Sequence, residues 1–187
     1  MHENGFWVFG YGSLIWNPGF VAERREKAVL HGFHRSFCMA SVHYRGTPEA
    51  PGLVLALDRL EGASCEGVAY RVGADHAAGA IAYLRERELV SSAYIEHVEQ
   101  VQLTSGEEVE AVCYVVDREH HQYRGGASLE DQARVIAASV GPSGPNHEYL
   151  SQTLAGLAEL GVHDPEMAEI AERVGVLRAG YHGWWKY

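Results

Sequence analysis

This chain lacks the features of several broad functional classes. No apolar run reaches the ~18 residues that a bilayer-spanning helix needs. Cysteine is scarce, with only Cys38, Cys65 and Cys113 present. No two of them have C-x-x-C spacing, so neither a redox motif nor a zinc knuckle is indicated. An odd number of widely spaced thiols builds no disulfide framework, which fits a reducing, intracellular compartment. Cys113 sits in an alternating pattern and reads as a small apolar packing residue. Positive charge is also in short supply: 15 Lys and Arg face 25 Asp and Glu, for a formal net charge of −10. That balance argues against nucleic acid or an anionic membrane as partner, since both reward clustered cations. The short cluster Arg24, Arg25 and Lys27 reads as a solvated face. The N-terminal Met1-His2-Glu3-Asn4-Gly5 has an acid where a signal peptide would have bases, and no apolar core follows. A soluble cytoplasmic protein is expected.

Motif absences narrow the chemistry further. Eleven histidines occur, yet none forms H-E-x-x-H or a comparable helical pair. His120-His121 are adjacent, so their side chains are expected to diverge on an exposed turn, and His97 to lie along a strand. Gly10-x-Gly12 lacks the third glycine of a dinucleotide fingerprint, and no Walker motif exists. Ser13 lacks the G-x-S-x-G elbow because Tyr11 occupies the first glycine position. No metal and no cofactor is assigned.

What is present fits one α+β domain over residues 1–187, with 47% apolar residues to build a core. Short β-rich runs at residues 6–9, 29–42, 53–57 and 65–72 are separated by Gly and Pro signals. Residues 95–103 form another, joined by a turn at 104–107 to a strand in which Val109, Ala111, Cys113 and Val115 alternate with Glu110, Val112 and Tyr114. That alternation predicts a half-buried strand. One helix, residues 75–90, interrupts the β region. The last third turns helical. Ser128 and Asp131 form a capping arrangement ahead of a face of Leu129, Ala133, Ile136 and Val140, ended by Gly141. Asn146 is expected to cap a helix burying Leu150, Leu154 and Leu157 and stopped by Gly161. Asp164-Pro165 opens a third helix. The sum is a closed or nearly closed sheet with helices packed around it.

Two places stand out chemically. After the strand Phe6-Trp7-Val8, the segment Phe9-Gly10-Tyr11-Gly12-Ser13-Leu14-Ile15-Trp16 places two glycines and a hydroxyl at a strand end. Glycines there allow positive φ and close approach of a ligand, and freed N–H groups with the Ser13 hydroxyl suit a carboxylate or other oxyanion. A plain structural turn is the competing reading. On a wheel of the 75–90 helix, at ~100° per residue, Ile81 and Leu84 set the apolar face and Glu88 falls between them, while Glu86 faces solvent. Desolvation and the negative helix end would both raise the Glu88 pKa toward that of a general base. The alternative is a half-buried glutamate paired with Arg85.

Five blocks resemble the ChaC-type γ-glutamylcyclotransferases. They are Gly10-Tyr11-Gly12-Ser13-Leu14-Ile15-Trp16, Arg45-Gly46-Thr47-Pro48-Glu49-Ala50-Pro51-Gly52, Gly67-Val68-Ala69-Tyr70-Arg71-Val72, Arg87-Glu88 with Tyr94, and Asn146-His147-Glu148-Tyr149-Leu150. The resemblance implies a small mixed β-barrel with its ligand cavity at one mouth. It implies cyclotransfer on glutathione, releasing 5-oxoproline and Cys-Gly, with Glu88 catalytic. Substrate binding is then expected from Gly10, Tyr11, Gly12, Ser13, Leu14, Ile15, Arg45 and Tyr149. From the residues alone, Arg45 is equally a salt-bridged loop arginine and Tyr149 a core-edge tyrosine. His43 stands where the family carries an acid, Leu53 where an arginine is common, and Ser91-Ser92-Ala93 where the approach to Tyr94 is glycine-rich. Those departures leave another γ-glutamyl peptide or amine open as substrate. A non-catalytic regulator of cation transport is the alternative from a different class. Trp184-Trp185 are available to pack on the domain or a partner, and oligomeric state is left open.

Overall fold

The computed structural model describes residues 4–183. The Trp184-Trp185 pair and Met1, His2 and Glu3 lie outside the described residues. The chain divides into two compact units, each discontinuous in sequence: residues 1–36 with 56–123, and residues 37–55 with 124–187. The class is α+β.

The first unit is built on a closed, mixed five-stranded barrel in the order β1-β3-β2-β4-β5, closed by β1 against β5, with an additional pairing of β3 with β5. The strands are β1 (Phe6–Gly10), β2 (Arg24–Ser41), β3 (Gly52–Val72), β4 (Tyr94–Leu103) and β5 (Glu108–Val116). β1 runs antiparallel to β3 and parallel to β5, and β4 runs antiparallel to β5 along most of its length. The runs at 53–57 and 65–72, expected as two strands, are one. Their polar middle is exposed but stays extended, and Gly62 takes φ 78° there. A left-handed glycine within a long strand is a local device for bending it.

Alternation sorts the side chains. Phe9, Phe33, Leu57, Ala69, Val109, Ala111, Cys113 and Val115 belong to one core cluster. Phe6, Val8, Val72, Val112 and Tyr114, from the opposite strand faces, pack in a second cluster with helix α1 (Ala74–Glu88) through Ala77, Ala80, Ile81 and Leu84. β5 is therefore not half-buried as expected. The helix covers its second face, and Val112 and Tyr114 are as buried as Cys113. Burial pushes the Cys113 thiol pKa up, which suits an inert packing residue.

The second unit carries three helices: α2 (Leu129–Ala138), α3 (Asn146–Glu159) and α4 (Pro165–Gly183). The Ser128 hydroxyl accepts the Asp131 N–H, and Asp164 accepts that of Met167, as the capping patterns predicted. α2 stops earlier than expected, at Ala138. Val140 and Gly141 leave it for a two-residue strand, β6, paired with β7 (Gly144–Pro145), so Val140 is exposed. Among the described residues no helix is long and apolar enough to cross a membrane.

Candidate active site

The loop that leaves β1 turns through a short 3-10 segment, Ser13–Ile15. Neither of its glycines takes a positive φ, and at Gly10 a Cβ would come within 3.0 Å of Leu14 Cβ. A Cβ on Gly67, across the β1–β3 pairing, would collide with the Gly10 carbonyl oxygen, and Gly12 has φ −133°. Every carbonyl from Tyr11 to Ile15 has a donor. Arg35 Nη1 reaches Tyr11 O at 2.7 Å, and the Gly12 and Ser13 oxygens accept from Ile15 N and Asn17 N. The Tyr70 hydroxyl lies 2.9 Å from Leu14 O and 3.2 Å from Ile15 O. Arg25 also reaches Ile15 O, so it is not simply part of a solvated face. Among the described residues, the N–H groups of Gly12, Ser13 and Leu14 donate to no protein acceptor. With the carbonyls tied back and three successive N–H groups unpaired, the loop presents a donor surface of the kind that holds anions. The side chains of Tyr11, Leu14 and Ile15 are buried, and the Tyr11 hydroxyl donates to Tyr114 O, so these residues offer the site backbone groups.

Glu88 is the last residue of α1, one turn beyond fully buried Leu84, with its side chain 16% exposed; Glu86 is exposed, as the wheel predicted. Burial raises its carboxyl pKa above the ordinary glutamate value, and the Arg87 guanidinium offsets part of that rise. Arg85, its partner in the alternative reading, instead forks onto Glu96. The partner is Arg87, whose Nε stands 3.2 Å from Glu88 Oε1 and whose Nη2 donates to Ser13 Oγ at 2.8 Å. Carboxylate and loop are thus linked through one side chain.

Arg87, Tyr70 and Arg35 went unassigned in the sequence. Arg87 and Tyr70 lie inside the recognised blocks; Tyr70 shares strand parity with Val68 and Val72 and reads as an ordinary core residue. Arg35 had a legible signal: it shares strand parity with Phe33 and Phe37, an arginine on an apolar face.

Arg45 and Tyr149 lie in the second unit. Arg45 is 7% exposed, donates to Pro145 O and Gln152 Oε1, and stands over the Tyr149 ring at 5.8 Å. Among the described residues no carboxylate pairs with it, so the salt-bridged alternative is not what the structure contains. Tyr149 is buried and its hydroxyl accepts the Leu55 N–H at 3.3 Å. Asn146 is not the cap of α3 but its first residue, fully buried. It accepts the Leu53 N–H and donates to Leu53 O, each at 2.7 Å. The His120 and His121 rings, expected to diverge, instead lie against each other, centroids 4.3 Å apart and planes tilted by 39°. Among the described residues no three His, Cys, Asp or Glu side chains gather to hold a metal ion.

Comparison with known proteins then decides the family. The ChaC-like protein family matches residues 6–177. The chain belongs to that family. Similar proteins in it include the glutathione-specific gamma-glutamylcyclotransferase of Escherichia coli (strain K12), 34% identical over 96% of this chain and 81% of that one. Gamma-glutamylcyclotransferase 2-3 of Arabidopsis thaliana is 33% identical over 90% of this chain and 87% of its own. Among solved structures, the yeast gamma-glutamyl cyclotransferase specific to glutathione superposes with a TM-score of 0.85 at 28% identity, covering 96% and 99% of the two chains.

Proposed function

We propose that this ChaC-like protein is a γ-glutamylcyclotransferase acting on glutathione, releasing 5-oxoproline and Cys-Gly, with Glu88 as general base. The observation that carries this is the linkage of a desolvated carboxylate to a donor-only loop through Arg87. The substrate's own α-amine attacks its γ-amide carbonyl, closing a five-membered ring and expelling the amine of Cys-Gly. The attacking α-amine is protonated at neutral pH, so attack needs a base, and a carboxylate of raised pKa is a fitting one. On the way from ammonium to lactam the attacking nitrogen loses two protons and the leaving nitrogen gains two, departing as an ammonium; Glu88 passes them across one at a time, so no water and no protein nucleophile is consumed. The N–H groups of Gly12, Ser13 and Leu14 and the Ser13 hydroxyl meet an anionic oxygen of the γ-glutamyl group, which also holds the chain folded for ring closure. Arg45, buried without a carboxylate, and Tyr149 are proposed as further substrate-binding residues.

A second substrate of the same class is favoured by one observation. Leu53 stands where the family commonly carries an arginine, and its backbone is tied at both ends to Asn146. The test is 5-oxoproline release by the purified protein from glutathione and from γ-glutamyl compounds varied beyond the γ-amide. Turnover of glutathione above the others supports the assignment. Turnover of another member alone replaces the substrate, and silence across the set overturns the enzyme in favour of a binding module.

A further inference from the structure

Ser13 and Glu88 stand on different elements, and Arg87 touches both. Its remaining nitrogen, Nη1, donates to Asn17 O at 2.6 Å and to the Tyr83 hydroxyl at 3.0 Å, so the whole guanidinium is engaged. The side chain is only 18% exposed. Guanidinium has donors and no acceptor, which fixes the sense of its bond to Ser13: Oγ accepts, and the single hydroxyl proton is free to point elsewhere. A serine that could turn either way is thereby made a donor, matching the unpaired N–H groups of the same loop.

We propose that Arg87 is a positioning residue for the cyclotransfer, orienting the Ser13 hydroxyl as a donor to the substrate's anionic oxygen while holding the Glu88 carboxylate beside it. The proposal rests on the assignment of Glu88 as base. The groups around Glu88 are few. Arg87 comes from its own helix and Tyr114 from β5; the Tyr114 hydroxyl is given to Glu96 of β4, which Arg85 already pairs. Of these, Arg87 is the opposite charge in direct contact, so it opposes the effect of burial on Glu88. Glu88 must be deprotonated to act. Removing the Arg87 charge therefore moves the acidic limb of kcat/KM to higher pH.

The experiment is the pH profile of 5-oxoproline formation for wild type, Arg87→Met, Arg87→Lys, Ser13→Ala and the Arg87→Met/Ser13→Ala pair. A 13C titration of the Glu88 carboxyl, assigned by its disappearance in Glu88→Gln, provides a readout independent of turnover. Arg87→Met is expected to raise both the limb and the 13C titration by about 1 pH unit. It should also lower kcat on the order of 100-fold, as loss of an oriented oxyanion donor does. Arg87→Lys keeps the charge and restores the limb without restoring kcat. Ser13→Ala loses kcat without moving the limb, and adds little to Arg87→Met because the hydroxyl there is no longer oriented. An unmoved Glu88 titration in Arg87→Met, or Ser13→Ala acting at full strength in the pair, overturns the proposal. Should Arg87→Met not fold, Arg87→Lys decides alone, and a wild-type kcat in it overturns the proposal. Glu88→Gln separates the two assignments: full turnover there defeats the base itself, whereas an inactive Glu88→Gln with unshifted Arg87 variants defeats only the role of Arg87.

Discussion

Around Asn146, in the second unit, donors and acceptors cancel: the amide takes the Leu53 N–H and returns a proton to Leu53 O, and the Tyr149 hydroxyl takes the Leu55 N–H. In the loop after β1 they do not cancel. All the carbonyls from Tyr11 to Ile15 are occupied, while three consecutive N–H groups donate to no protein acceptor among the described residues. A satisfied polar cluster behaves as an extension of secondary structure and stabilises the fold. A cluster satisfied on one side only is poised for something that is not protein. Glu88 belongs with the second kind, a carboxylate whose surroundings disfavour its charge.

The contrast can be broken by substitution. Glu88→Gln removes the base while keeping size and hydrogen bonding, and 5-oxoproline release should fall on the order of 1,000-fold. Asn146→Ala leaves the buried N–H and C=O of Leu53 without partners. It should cost about 3 kcal/mol in denaturant unfolding while kcat/KM of the folded fraction holds. A large activity loss at unchanged stability would move Asn146 into the functional class. Tyr70→Phe frees the Leu14 carbonyl, leaves that of Ile15 to Arg25 alone and loosens the loop. A fall of roughly 10-fold in kcat is expected, the mark of a reacting group held less well in place. Unchanged turnover in Tyr70→Phe would show that the tied carbonyls are structural, like those around Asn146.

Much of this was legible in the sequence where a period could be followed. The wheel separated Glu88 from Glu86 because Ile81 and Leu84 define a face. The barrel strands and the Ser128 and Asp164 caps follow from alternation and capping chemistry. What failed depended on partners distant in sequence. The β5 pattern shows which residues alternate but not that α1 covers the second face. Asn146 has the composition of a helix cap, and only the proximity of Leu53 makes it a backbone clamp. Arg87 was missed because a role shared between a loop and a helix leaves no local pattern, and Arg85, three residues before Glu88, has the spacing of a helical pair. The middle of β3 reads as a loop because its side chains are polar, although its backbone stays extended.

The central claim is that Glu88 is kept in a setting unfavourable to its charge because the chemistry needs it there. A raised folded-state pKa means that the native state binds this proton more readily than the unfolded chain. The stability it contributes is present below the ordinary glutamate pKa and is lost as pH rises through the raised value. The direct measurement is the unfolding free energy of wild type and Glu88→Gln from acid to neutral pH, on samples also assayed for 5-oxoproline release. At neutral pH the variant should be inactive and more stable than wild type, with the stability difference closing as pH falls below the ordinary glutamate pKa. A variant that is active, or less stable than wild type at neutral pH, would contradict the account.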